Sequence, residues 1–147
     1  EHDSINEVAL QYYIGKKEAS PDKDFFSIFS SLAQTSQLNP FYIHLLNKAV
    51  VNADGVLAEE LGGVLVNFIE KNPNDFTQML LDTTYIGRME AARDAAFLVA
   101  HQIQKEQADK ETEEKLVIRS MLACAECSGD QKAALKYFFE MLAAMKD

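Results

Sequence analysis

The chain has 147 residues, 48% apolar and 25% charged, a size and composition that suit one globular domain, residues 1–147, and exclude a disordered chain. Such a domain buries enough core to fold without metals or disulfides, so stability alone assigns no role to its cysteines. A formal charge of −9, with 14 basic residues against 23 acidic ones and no dense basic stripe, argues against nucleic acid and acidic lipid, and would attract a basic partner.

The pattern along the chain is helical throughout. Ile5, Val8, Ala9, Tyr12 and Tyr13 form the apolar side of a first helix that Gly15 ends. All three prolines follow a capping residue, in Ser20-Pro21, Asn39-Pro40 and Asn72-Pro73, and so mark three helix starts. The second helix carries Phe25, Phe29 and Leu32. The third, from about Pro40 to Ala53, carries Phe41, Leu45, Leu46 and Ala49 up to the turn Asn52-Ala53-Asp54-Gly55. In the fourth, Leu57, Leu61, Val64, Leu65, Phe68 and Ile69 make one wide stripe, and the pair Gly62-Gly63 predicts close approach of a neighbouring helix.

A fifth helix runs from Pro73 to about Asp82, with Phe76, Met79 and Leu80 inward, and a sixth from about Tyr85 to Gln107. The seventh opens in the acidic run from Lys110 to Glu114, which suits a helix N-terminus. From Leu116 to Ala125 only Arg119 and Ser120 are markedly polar, which predicts a helix at the middle of the bundle. The last helix starts near Ser128-Gly129-Asp130 with Ala134, Phe138, Met141, Leu142 and Met145 as its stripe. No segment alternates with period two, so the expected class is all-α. About eight helices would form a single compact orthogonal bundle or a short helix-pair superhelix; a faint echo at a period of 35 residues favours neither.

Cys124-Ala-Glu-Cys127 is the stretch that most invites chemistry. Spacing of three puts both sulfurs on one side of a turn, which fits two simple thiols, a disulfide or half of a metal site. Zinc would need two more ligands, and His2, His44 and His101 are scattered without a second cysteine pair. Thioredoxin-type use is disfavoured because the pair follows a helix and encloses Glu126. Simple thiols with Cys124 in the core are the leading reading; a disulfide would imply an oxidising compartment.

On the sixth helix Glu90, Asp94, His101 and Lys105 share one face, but Asp94 and His101 are two turns apart and read as a solvated stripe. The segment ADGVLAEE, residues 53 to 60, sets Asp54, Glu59 and Glu60 around Gly55. It resembles the acidic inter-helix turn of the TerB family, helical domains of about this length linked to tellurite resistance and proposed to bind a cation there. That resemblance implies Asp54, Glu59 and Glu60 as metal ligands. The later turn Ser128-Gly129-Asp130 lacks the acidic residues a second such site would need.

Catalytic motifs are missing: no GxSxG, HExxH, GxGxxG or Walker loop is present, so no catalytic residue and no cofactor is assigned. Tyr137, Phe138 and Phe139 are consecutive, as are Phe25 and Phe26. Such runs either bury a helix over a broad arc or place rings such as Phe25, Tyr137 and Phe139 in a patch for a partner or a second copy. The leading expectation is a non-catalytic interaction module with an acidic surface and an aromatic patch, binding a protein or forming a homodimer. A cation-binding or thiol-dependent protein is the alternative, and an enzyme of unassigned reaction the third. No apolar run reaches the roughly 20 residues of a membrane span; the compartment is left unassigned, with a lean toward an exported or periplasmic one only if Glu1 is a processed N-terminus and not the start of a trimmed chain.

Overall fold

The computed structural model describes residues 7–20, 22–29, 39–53, 55–81, 88–106 and 110–145, and among them all regular structure is helical. In chain order the helices are α1 (Glu7–Tyr13), α2 (Lys23–Ser27), α3 (Asn39–Asn52), α4 (Gly55–Lys71), α5 (Pro73–Leu81), α6 (Arg88–Lys105), α7 (Lys110–Ala123) and α8 (Gly129–Met145). The sequence expectations at Ile5, Pro21, Leu32, Asp54, Asp82, Tyr85 and Gln107 fall outside the described residues.

Local chemistry accounts for several helix ends. Gly15 takes a φ of 83°, and behind it the Lys16 amide donates to the Gln11 carbonyl at 2.9 Å and the Gly15 amide to Tyr12 at 3.2 Å. That is the paired closure of a Schellman end, where a left-handed residue is needed. At α5, Pro73 follows Asn72, whose side-chain oxygen accepts from the Asp75 amide at 3.3 Å while its amide donates back to the Asp75 carboxylate at 2.7 Å. At α8, the Gln131 amide donates to the Ser128 hydroxyl and the Gln131 side-chain oxygen accepts from the Ser128 amide, a capping box with Gln in the acidic position.

The start of the second helix is set by a residue other than proline. α2 begins at Lys23 because Asp22 caps it, accepting from the Phe25 amide at 2.8 Å, while the Ser20 hydroxyl donates to the Asp22 carboxylate.

Helices pack mainly on their next-but-one neighbours: α6 lies between α4 and α8, α3 lies against α5, and α5 reaches across to α8. The middle position belongs to α6 because Ala92, Ala95, Ala96, Val99 and Ala100 are small and buried, which lets helices close in from both sides. Gly62 of α4 completes the fit; a Cβ there would stand 2.6 Å from the Leu98 carbonyl oxygen. Gly63 faces only the Gln102 side chain, at 3.7 Å, so one glycine of the pair is the contact the sequence foresaw.

One contiguous apolar cluster runs from Ala9 to Leu142. Phe68, Phe76, Phe138 and Phe139 run through it as a chain of edge-to-face rings with centroids 5.9, 4.9 and 5.3 Å apart.

The placing of α7 at the middle of the bundle is corrected. Ser120 and Cys124 are buried and Leu116 and Val117 half-buried, but Ile118, Met121 and Leu122 face outward. An apolar helix becomes central only if neighbours surround it, and α7 meets α4, α5 and α8 along one side.

Candidate functional site

The acidic turn supplies Glu59 and Glu60 from the first turns of α4, both exposed, whereas Asp54 lies outside the described residues. Glu59 reaches across to α6. Its Oε1 stands 3.8 Å from His101 Nε2 on α6, with both side chains about half exposed, at 49% and 50%. Among the described residues no three of His, Cys, Asp and Glu come together as a metal site would require. One carboxylate and one imidazole are half the ligand set of a closed zinc site.

Sequence spacing on a single helix could not show the Glu59–His101 pair, because it spans two helices brought together at Gly62. Asp94 is half-buried, and the side chains of Glu90 and Lys105 lie outside the described set. Beside the pair a groove of about 190 Å³ is lined by Gly55, Ala58, Phe97 and Leu98, with the Phe97 ring 62% exposed at its edge.

Cys124 and Cys127 are joined by a disulfide, with Cα atoms 5.0 Å apart, so the simple-thiol reading does not hold in the structure. The reason is local. The chain leaves α7 in a tight turn, with the Cys127 amide donating to the Cys124 carbonyl at 2.9 Å, and this brings the two Cα atoms into bridging range. Cys124 is buried, as expected, and Cys127 is buried with it. A bridge shielded on both sulfurs is a staple between α7 and the turn into α8, since exchange needs thiolate access to a sulfur. The α8 side of that turn is tied down separately by the Gln131 side-chain amide, which donates to Asn74 and to Thr77 Oγ1 of α5, at 3.1 to 3.2 Å.

Of the three rings considered for a partner patch, two are in the core. Phe25 is 2% exposed, packed edge-on to Tyr12 and Phe29, and Phe139 is 8% exposed against Phe138. The consecutive aromatics bury α8 over a broad arc, so Phe25 and Phe139 are withdrawn as surface residues. Tyr137 is half-buried and lines an apolar cleft of about 210 Å³ with Leu80, Ala92 and Ala134.

The exposed apolar surface lies elsewhere. On α7, Ile118, Met121 and Leu122 are 58%, 41% and 72% exposed, and Ala125 beyond them is exposed too. Offsets of 0, 3 and 4 put Ile118, Met121 and Leu122 on one outward face of α7, and Ala125 lies past the end of that helix at Ala123. The pattern stood in the sequence, but period alone does not say which side of a helix meets the core.

In comparisons with known proteins, no family model, no curated protein and no solved structure matches the chain. The likeness to the TerB turn therefore stands on residues 53 to 60 alone.

Proposed function

We propose that the protein is a non-catalytic helical interaction module that receives another polypeptide on the outward face of α7. The observation that carries this reading is the stripe of Ile118, Met121 and Leu122, three large apolar side chains turned to solvent on one helix face. Single exposed apolar residues are ordinary, whereas a contiguous set at helical spacing is the surface a partner helix or groove covers. The patch is aliphatic instead of aromatic. The acidic balance of the rest of the chain supports solubility and discourages indiscriminate association.

An oxidising, exported compartment belongs to the same reading, because the Cys124–Cys127 bridge would persist there. The test is a photo-crosslinking residue at position 122, with the same residue at exposed Lys136 on α8 as control. Crosslinks to a polypeptide at 122 and none at 136 support the module. Equal labelling at both positions, or none at 122, removes it.

A further inference from the structure

We infer that the groove between α4 and α6 is a binding site for a small, free quaternary ammonium compound, recognised by Glu59 and Phe97. The site lies on other helices than the α7 face, so the two readings stand or fall separately. The groove holds about 190 Å³ and is lined by Gly55, Ala58, Glu59, Phe97, Leu98 and His101. That is below the roughly 300 Å³ at which pockets for drug-sized ligands begin, so the occupant is small.

The lining selects the charge of the ligand. A neutral occupant would strip water from the Glu59 carboxylate with nothing in return, and an anion would be repelled by it and by a chain of formal charge −9. His101 Nε2 stands 3.8 Å from Glu59 Oε1, beyond a direct hydrogen bond, so the carboxylate can turn to a ligand. Among the described residues no third His, Cys, Asp or Glu joins the pair, which leaves a bare metal ion short of ligands. The lining also selects the form of the cation. A primary ammonium carries N–H donors that the side chains of Ala58, Leu98 and Phe97 cannot satisfy, whereas a quaternary ammonium has no donor and presents methyl groups to them. Phe97 adds the aromatic ring that such a cation favours, and at 62% exposure on the groove's edge a ligand can reach it. A free compound is favoured over a phosphocholine headgroup, because that headgroup would bring a phosphate alongside Glu59 and the exposed Glu60 next to it in sequence.

The experiment is amide correlation NMR of the purified chain, titrated with choline chloride at constant ionic strength. One ring and one half-exposed carboxylate predict a dissociation constant on the order of 1 mM. Saturable shifts should be confined to residues 55–59 and 97–101, around the groove. The neutral isostere of choline, with carbon in place of the quaternary nitrogen, should bind at least about tenfold more weakly. Glu59→Gln and Phe97→Leu should each weaken choline binding roughly fivefold. Both should leave the thermal unfolding curve in place, since the two side chains are 49% and 62% exposed. Glu60→Gln removes the same charge from a residue that does not line the groove, and should change binding by less than about twofold.

Choline that gives no saturable shifts up to about 20 mM overturns the inference. So does a neutral isostere that binds equally well, which would leave only an apolar groove. Equal losses for Glu59→Gln and Glu60→Gln would reduce the effect to the overall acidity of the chain and remove the site. Binding to phosphatidylcholine vesicles or to a trimethyllysine peptide, without a response to free choline, would end the assignment to a free compound.

Discussion

A methyl group at position 62 would meet the Leu98 carbonyl oxygen at 2.6 Å, and backbone cannot step aside as a side chain can. Gly62→Ala should therefore destabilise the fold by about 1–3 kcal/mol, the usual cost of overpacking. Gly63→Ala meets only Gln102 at 3.7 Å and should be neutral or stabilising by up to about 1 kcal/mol through helix propensity. Urea unfolding of the two variants side by side checks this, and equal losses would mean that α4 is rotated from the position described. The glycine pair was visible in the sequence as a demand for close approach, but which of the two meets α6 depends on the rotation of α4, which no local pattern encodes. Phe139 makes the same point from the other side. It is 8% exposed against Phe138, so Phe139→Ser should lower stability by about 3–5 kcal/mol without specifically altering association. Its midpoint in urea compared with that of Leu122→Glu separates a core residue from a docking one.

Helix ends are where the sequence is most explicit, and they show how far that explicitness goes. Asn72-Pro73 starts α5 as its residues dictate. At α2 two oxygen-bearing residues compete for the cap, and Asp22 prevails over Ser20 because it reaches the Phe25 amide at 2.8 Å. The Ser20 hydroxyl bond, and then that amide, hold the Asp22 carboxyl below the usual aspartate range. Because its folded pKa lies below the unfolded one, the cap contributes fully at neutral pH and is lost as pH falls through the folded value. The Phe25 amide resonance should follow a midpoint below that of ordinary aspartates, and Asp22→Asn should abolish the titration while keeping an acceptor. The turn from α7 to α8 is the second such element. Closing a loop of four residues, the Cys124–Cys127 bridge should contribute about 2 kcal/mol, read as the change in urea midpoint between the native chain and Cys124→Ala/Cys127→Ala. An unchanged midpoint would assign the turn's order to Ser128, Gln131 and Asn74 alone.

Across the whole molecule, the all-α class followed from periodicity and caps, while the ranking of helices from centre to surface did not. α7 reads as the most apolar stretch and α6 as a helix with a charged stripe, yet α6 is the one enclosed by α4 and α8. Small side chains decide this: alanines at 92, 95, 96 and 100 offer little apolar area each but let two helices approach, whereas Ile118 and Leu122 offer area that no described neighbour covers. The consequence is measurable in opening free energies, which follow the burial around each helix. Amide hydrogen exchange at low protein concentration should be slowest in residues 95–100 of α6 and at least tenfold faster in residues 116–122 of α7. Protection in α7 equal to that of α6 in the dilute protein would show that its outward face is already covered within one chain, and the basis for docking there would be gone.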